Sequence, residues 1–409
     1  MSIDASSPPL ATIDAALRQT TERLACDLAG PADAAPQWSD FEWRIAMAVA
    51  TMHGISGLLA DTLSWAGPEY WQVFLTGQKH QAVLREQHVH TLLNTIDALA
   101  RTKGIALVAL KGATLIRQNL YAPGQRPMGD IDLLVRHGDV PACAELLQQA
   151  GYRSAFANRR HTVFAPAANS TPVDFGEHVD NPLKVEVHEV IAERLPCSAV
   201  DITDQTWPVA AVPGLHSYSS NATALRHLLL HAAGNMRARA ARLIQFHDIA
   251  LLTRRMSRSD WEELLPDQAT TQASWWMLPP LRLTARYYGA AIPLTVIASV
   301  EPFCPRALRR AAGRHQLADI SWSQIRIPAF PGIEWSRSIT ETLQFMKSRI
   351  WPGRRTLQEL RVGVDQMPQL SRIPWYGQSH ATRIARWMFS QPPRVQTLHS
   401  VRRALGSHP

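Results

Sequence analysis

The pattern of apolar and polar positions predicts two helical regions with a different kind of structure between them. Over residues 38–101, apolar side chains recur every three or four positions, as at Phe41, Ile45 and Val49, which is the period of one helix face. The same period returns over residues 222–255, in the segments ATALRHLLLHAAGN and RLIQFHDIALLTRR. We therefore expect helices on both sides of a central region.

The central region alternates between short apolar runs and helical patterns. Residues 105–110 form an apolar run of strand length, a helical pattern covers 113–121, and GDIDLLV over 129–135 is extended in character. A helix over 140–150 and short extended segments follow, and KVEVHEVI at 184–191 alternates strictly at first. This order predicts an α+β fold, a small mixed β-sheet with helices packed on it.

Linkers and changes in composition divide the chain into five predicted regions. They are a flexible N-terminal arm (1–37), an N-terminal helical region (38–101), the α+β core (102–200), a C-terminal helical region (201–300) and a basic region rich in Trp and Pro (301–409).

Composition narrows the class of protein. The hydrophobic fraction of 46% is typical of a globular chain. The first residues show no signal peptide pattern, and no apolar run reaches the length of a membrane span. The four cysteines are scattered without a Cys-x-x-Cys pair, which supports neither a zinc ribbon nor a disulfide framework. We expect a cytoplasmic protein.

The net charge of +8 is concentrated at one end of the chain. From Arg337 onward there are 12 Lys or Arg and 3 Asp or Glu. Such a tail is suited to an anionic membrane surface or a nucleic acid, and a solvated basic end without a partner is the alternative. In HATRIARWMF, the stripe formed by Ile384, Trp387 and Met388 is suited to a membrane surface or a partner, or to packing on the protein itself.

Two predicted strands carry carboxylates on one face. Side chains alternate along a strand, so Asp130 and Asp132 point the same way, and so do Glu186 and His188. If the strands are neighbours, three carboxylates converge, repel one another and lose hydration. A divalent cation resolves that conflict, and magnesium prefers oxygen ligands. His188 is expected to hydrogen-bond to the acids.

Four residues near the first acidic strand are candidates for nucleotide binding. Lys111 and Gly112 lie between a predicted strand and helix, where glycine lets the backbone approach a phosphate and the helix start offers N–H groups. Thr114 adds a hydroxyl, and Arg126 is expected to reach a triphosphate or the leaving pyrophosphate. The alternatives are an ordinary turn at 111–112 and a surface role for Arg126.

The segments ALKGATLIRQNLY, RPMGDIDLLV and VEVH together resemble a known family. They are similar to the bacterial uncharacterised nucleotidyltransferase family of the polymerase β-like superfamily, whose members carry LKG, then GDIDLLV, then an Asp-x-His strand. The resemblance extends from about Phe41 to Arg255. Two positions depart from the pattern: Lys111 precedes Gly112 where the superfamily has Gly-Gly or Gly-Ser, and Glu186 replaces the usual Asp. Asp174 and Asp180 are the fallback candidates for a third acid.

The resemblance implies a magnesium-dependent transfer of AMP or another NMP from a nucleoside triphosphate, most simply ATP. Asp130, Asp132 and Glu186 are then the catalytic residues and the ligands of two Mg²⁺ ions, and Glu186 is the candidate general base. The acceptor is a small molecule, a peptide or a protein. Family members often accompany biosynthetic loci, which implies a biosynthetic protein partner. The alternative is an inactive domain that serves as an adaptor in a biosynthetic complex.

The later helices contain histidines with a spacing that zinc also uses. His227 and His231 lie four residues apart, and His247 is on the next predicted helix. The first pair lacks the Glu or Asp that zinc peptidases carry within this motif, so a zinc site is not expected here. Arg242 and Asp248 are expected to form a structural pair or one wall of the nucleotide pocket.

Overall fold

The protein has an α+β architecture. The computed structural model describes residues 8–30, 32–157, 161–168, 173, 175–354, 357, 378–390 and 393–406. It contains a six-stranded mixed sheet flanked by helices, and a separate two-stranded hairpin. This arrangement confirms the predicted fold class.

Four helices precede the sheet. They are α1 (Leu10–Ala29), α2 (Asp40–His53), α3 (Ser56–Thr62) and α4 (Glu69–Lys103). Ser39 and Glu42 form a reciprocal capping box at the start of α2. At the end of α4, Gly104 takes the left-handed conformation (φ 71°) that closes many helices.

The segment predicted to be a flexible arm contains a buried helix, so that prediction was wrong for the residues of α1. Ile13, Leu17, Leu24 and Leu28 are each at most 4% exposed and lie on one side of the helix. This side packs against α2 and against helices near the other end of the chain. The many small and polar residues between these positions hide the apolar stripe from a reading of composition alone.

The six-stranded sheet has the order β3-β4-β5-β2-β1-β8. Its strands are β1 (Ala106–Ala109), β2 (Asp130–Val135), β3 (Tyr152–Ala157), β4 (His161–Pro166), β5 (Lys184–His188) and β8 (Gly214–His216). The hairpin consists of β6 (Ala192–Arg194) and β7 (Ala199–Asp201). The intervening helices are α5 (Lys111–Arg117), α6 (Val140–Gln149) and α7 (Thr203–Thr206). β2 runs parallel to β5, and β1 runs parallel to β8, while the other neighbours are antiparallel.

The alternation along β2 separates the core from the site. Ile131, Leu133 and Val135 are fully buried in a cluster with side chains of α4 and α6. Asp130 and Asp132 therefore project from the other face of the sheet. The apolar residues hold β2 in place, so the position of the two carboxylates is fixed by the packing beneath them.

The remaining helices follow the sheet. They are α8 (Asn221–Arg237), α9 (Leu243–Thr253), α10 (Arg258–Leu264), α11 (Gln268–Ala273), α12 (Leu278–Tyr288), α13 (Leu294–Val300), α14 (Arg306–Arg314), α15 (Leu317–Ile320), α16 (Ile339–Ile350), α17 (His380–Ser390) and α18 (Val395–Gly406). The larger of the two buried clusters combines side chains of α1 and α2 with those of α8, α9, α12 and α18. Among the described residues no single helix is long and apolar enough to cross a membrane. Helices α2 and α3 reach that length and apolar character only when taken together, and the chain bends by 115° between them.

Part of the basic tail packs on the protein itself. Ile384 of α17 is 9% exposed, and the Trp387 indole N–H donates to the carbonyl of Ile327 (2.7 Å). Arg394 is buried and donates to the carbonyl of Ser321 (3.1 Å). The side chain of Met388 lies outside the described part of the chain. Contact of the tail with a membrane surface or a nucleic acid stays a prediction.

Candidate active site

The three predicted carboxylates lie on one face of the sheet. In the parallel pair of β2 and β5, Asp132 is opposite Glu186 and Asp130 is opposite Lys184. Directly opposite residues on neighbouring strands share a face and are about 5 Å apart. The sheet register thus brings Asp130, Asp132 and Glu186 together, and also places the Lys184 side chain beside them.

Asp132 is the ionised member of this group. One of its oxygens, Oδ1, accepts hydrogen bonds from the Lys111 ammonium and from His188 Nε2, both at 2.8 Å. Burial opposes the charged form, but Lys111 and His188 outweigh it and hold the pKa of Asp132 well below its usual range. Asp132 is therefore a carboxylate at any pH near neutrality.

Asp130 and Glu186 have the opposite tendency. Burial, followed by the neighbouring charge of Asp132, raises the pKa of Asp130. Burial and then the charges of Asp132 and Asp130 raise the pKa of Glu186 to about 7. The site therefore combines one stably charged carboxylate with two that resist ionisation. Such a group of carboxylates can bind a cation or exchange a proton. Both properties are common in active sites.

Two histidines extend the site across a third strand. His161 of β4 is directly opposite His188 of β5, and their ring centroids are 5.0 Å apart. Glu186 Oε2 lies 3.5 Å from His161 Nε2 and 3.8 Å from His188 Nε2. His188 does contact the acids, as predicted from its alternation with Glu186. His161 was not identified from the sequence, because nothing in the sequence indicates that its strand pairs with β5.

Lys111 is held at the edge of the site by its own backbone. It starts α5 with φ 47°, a left-handed conformation that side chains other than glycine rarely adopt. Its backbone N–H donates to the hydroxyl of Tyr218 (2.8 Å), which is in turn hydrogen-bonded to His227 Nδ1 (2.7 Å). Burial lowers the pKa of Lys111, but Asp132 more than compensates and raises it overall, so the ammonium stays charged. The first N–H of α5 is thus already used within the protein.

Gly112 makes room for an arginine rather than for a phosphate, contrary to our expectation. A Cβ built on Gly112 would lie 2.1 Å from Arg126 Nη1. The Arg126 guanidinium binds both oxygens of Asp248 at 2.8 Å, and Asp248 also accepts from the Tyr121 hydroxyl (2.6 Å). Asp248 therefore pairs with Arg126 and not with Arg242.

Thr114 is directed away from the site. Its side chain is fully buried, and its hydroxyl donates to the backbone carbonyl of Ala109, the last residue of β1. In the first turns of a helix, threonine hydroxyls often bond to a preceding carbonyl in this way. The prediction that Thr114 offers its hydroxyl to a nucleotide is not compatible with this position.

Arg242 does not form the predicted pair with Asp248, and its alternative place in a wall of the nucleotide pocket stays a prediction. Its Nε donates to the carbonyl of Met52 (2.9 Å), and its Nη2 lies 2.8 Å from the position that a Cβ on Gly54 would take. Burial lowers its pKa, while Glu177 and Asp130 favour its charge. Within the described part of the chain, no carboxylate forms an ion pair with Arg242.

The other candidate residues have local partners. His227 contacts Tyr218, His231 Nε2 is 3.1 Å from Asn235 Nδ2, and His247 Nδ1 is 3.2 Å from the Tyr288 hydroxyl. Of the fallback acids, Asp180 is largely exposed, and its Oδ2 lies 3.4 Å from His178 Nδ1. Asp174 lies outside the described residues.

Comparison with known proteins identifies the family. The sequence model of the family described as "Uncharacterised nucleotidyltransferase" matches residues 39–289, more than half of the chain. The chain belongs to this family. The matched region contains the whole six-stranded sheet and the site residues from Lys111 to Asp248. No curated protein and no solved structure is significantly similar to the chain.

Proposed function

We propose that this family member transfers a nucleoside monophosphate from a nucleoside triphosphate, ATP in the first instance, to a hydroxyl or another nucleophile. The observation that carries the proposal is the register of β2 and β5, which sets Asp132 opposite Glu186 with Asp130 two residues away. The acceptor is a small molecule, a peptide or a protein. Family membership supports nucleotidyl transfer as the general reaction.

The carboxylates fit a magnesium site on chemical grounds. Asp130 and Glu186 carry raised pKa values because they lose hydration and lie close to other carboxylates, and a divalent cation removes that repulsion. Asp130, Asp132 and Glu186 are the residues that would hold two Mg²⁺ ions. Bound magnesium would neutralise the triphosphate and align it for in-line displacement.

Glu186 is proposed as the general base. In the protein without metal the pKa of Glu186 is about 7, in the range of a general base near neutral pH, and a Mg²⁺ ion at the carboxylate would lower it. The acceptor oxygen forms a bond to the α-phosphorus, the bond from that phosphorus to the bridging oxygen breaks, and pyrophosphate leaves. The proton of the acceptor hydroxyl passes to the Glu186 carboxylate. Glutamate in place of aspartate keeps the carboxylate and changes only its reach.

Two cations of the chain are suited to the charge of the triphosphate. Lys111 lies 2.8 Å from Asp132, so it is already at the edge of the carboxylate group. Arg242 is half-buried near Asp130 without an ion-pair partner among the described residues, and a guanidinium in that condition is a good phosphate ligand. Because the Arg126 guanidinium is bound to both oxygens of Asp248, we propose that Arg126 does not bind the triphosphate directly.

The test is nucleotide turnover by an Asp130→Asn variant. The full chain is incubated with Mg²⁺ and labelled nucleoside triphosphates, and pyrophosphate and labelled products, including labelled protein, are measured. The variant should lose more than ~100-fold in rate. Its melting temperature should be unchanged or higher, because the substitution removes a carboxylate that resists ionisation. Asp204→Asn, at an exposed position in α7, is the control. Unchanged turnover in Asp130→Asn would refute the assignment.

One observation favours a second candidate function. Lys111 already neutralises Asp132, which is the role expected of a metal ion. If this ion pair is permanent, the domain is an inactive nucleotidyltransferase fold that acts as an adaptor in a biosynthetic complex. Titration of the protein with Mg²⁺ in the presence of nucleotide separates the two functions. The enzyme binds the metal together with the nucleotide, and the adaptor binds neither.

We also propose a cytoplasmic setting. Nucleoside triphosphates are available there, and the four cysteines of the chain are all free thiols, two of them buried.

A further inference from the structure

Three ligand atoms beside the proposed magnesium carboxylates have the chemistry of a different metal. One ring nitrogen of His161, one ring nitrogen of His188 and a carboxylate oxygen of Glu186 all lie within 4.8 Å of one another. The register explains why: His161 is opposite His188, and Glu186 is two residues from His188 on the same face of β5. Three strand positions thus converge on one point.

The separations match those around a small transition ion. Ligand atoms bound tetrahedrally at 2.0–2.1 Å are about 3.4 Å apart. The Glu186 oxygen is 3.5 Å from the nitrogen of His161 and 3.8 Å from that of His188. Two of the three separations are thus within about 0.5 Å of the tetrahedral value, and the third, between the two histidine nitrogens, is at most 4.8 Å.

The donor types indicate which ion. Imidazole nitrogens suit zinc, cobalt, iron and nickel, whereas magnesium is bound through oxygen. We propose that His161, Glu186 and His188 form a binding site for a divalent first-row transition ion of the zinc and cobalt type. This site is next to the carboxylates proposed for magnesium and shares Glu186 with them. The inference rests on the proposed function only through that shared residue.

The site also gives a physical reason for glutamate at position 186. The side chain must extend from β5 toward His161 on β4, and the additional methylene carries its carboxylate to within 3.5 Å of that ring. Three protein ligands leave one tetrahedral position open, as in catalytic zinc sites. His188 Nε2 is at present hydrogen-bonded to Asp132 Oδ1 (2.8 Å), so binding of an ion at this nitrogen would replace the proton that it shares with Asp132.

The test is titration of the metal-free full chain with Co²⁺, whose visible absorption reports coordination by nitrogen and oxygen ligands in a low-symmetry site. Wild-type protein should bind one Co²⁺ per chain with visible absorption, and excess Mg²⁺ should not displace it. His161→Gln should weaken Co²⁺ binding by at least ~100-fold, since loss of a direct ligand exceeds the 10–100-fold effect of an outer-shell change. His178→Gln, which changes a histidine outside this cluster, is the control and should bind normally.

The outcomes separate this inference from the proposed function. If wild-type protein releases pyrophosphate with Mg²⁺ but binds no Co²⁺, the transition-ion site is refuted and the transferase assignment stands. If Co²⁺ binds but no nucleotide turns over, only the transferase assignment fails. Equal Co²⁺ affinity in His161→Gln and His178→Gln refutes the ligand set. The wild-type titration is decisive even if His161→Gln does not fold.

Discussion

The acids of β2 and β5 differ in how their charge is compensated. Two hydrogen-bond donors contact one oxygen of Asp132 and lower its pKa. Burial and two neighbouring negative charges raise the pKa of Glu186. Residues with shifted pKa values in a cleft are characteristic of functional sites. In the protein without metal, ionisation of Glu186 is therefore expected to lower the free energy of unfolding.

Substitution of Glu186 by Gln should stabilise the metal-free protein in alkaline solution. The folded-state pKa of Glu186 is about 7 against an ordinary value of 4.5. Below about pH 4.5 the side chain is neutral in both states and the substitution has little effect. Between about pH 4.5 and 7 the unfolded chain ionises Glu186 while the folded wild type keeps it protonated, so the wild type loses stability until the loss is complete above about pH 7, and the glutamine variant does not. At pH 8 the gain should be about 1–3 kcal/mol.

Urea unfolding of both proteins at pH 4.5 and pH 8, with a chelator present, measures this difference. Glu262→Gln is the control, because that carboxylate is on the surface of α10 beside Arg258. A gain for Glu186→Gln that is equal at the two pH values would show that the pKa of Glu186 is not raised. The same variant should lose transferase activity, so stability and function should change in opposite directions.

At the scale of elements, the start of α5 and the loop before β2 are locked together. Gly112 lies against the Arg126 guanidinium, and Arg126 is held by Asp248 of α9. Both partners of this pair are nearly buried, with exposed side-chain fractions of 12% and 3%. The pair therefore joins three elements around the site without pointing into it.

Substitution of Gly112 by Ala should break this lock. The added methyl group must displace Arg126 Nη1, which would lie 2.1 Å away, and so disturb the bidentate contact with Asp248. Overpacking of this kind costs about 1–3 kcal/mol. The midpoint of urea unfolding measures the loss. Gly138→Ala is the matched control, since a Cβ there has nothing within 4 Å.

A double-mutant cycle identifies the cause of that loss. With Arg126→Ala in place, the methyl group added by Gly112→Ala has space, so the second substitution should cost little more. Full additivity of Gly112→Ala and Arg126→Ala would show that Arg126 does not explain the requirement for glycine.

The sequence predicts the local pattern of the site but not its long-range partners. Alternation in DIDLLV and KVEVH was sufficient to put Asp130, Asp132 and Glu186 on matching faces, because strand geometry acts over two residues. The neighbours that decide their roles come from distant positions: His161 from β4, and Tyr218 and Asp248 from after the sheet. No periodicity connects such residues. Arg126 was therefore assigned to the nucleotide when its partner is a carboxylate of α9.

At the scale of the whole molecule, both ends of the chain belong to the same core. The family match begins at residue 39, after α1, and ends at residue 289, before α13. Yet α1 packs against α2, α12 and α15, and α18 packs against α2. Hydrogen bonds join the same regions, including the pair of Thr21 and Ser323 hydroxyls at 2.6 Å. Stability should therefore depend on segments that the family pattern does not include.

Leu17→Ala in α1 tests this dependence. Leu17 is fully buried in the larger core cluster, so its truncation should cost about 2–5 kcal/mol, the range for leucine in a packed interior. Gln19→Ala, at an exposed position on the same helix, should change stability by less than about 0.5 kcal/mol. Urea unfolding followed by tryptophan fluorescence reports the core directly, because Trp43 and Trp71 are buried in the same cluster. Equal, small effects of the two substitutions would mean that α1 does not contribute to the folded core.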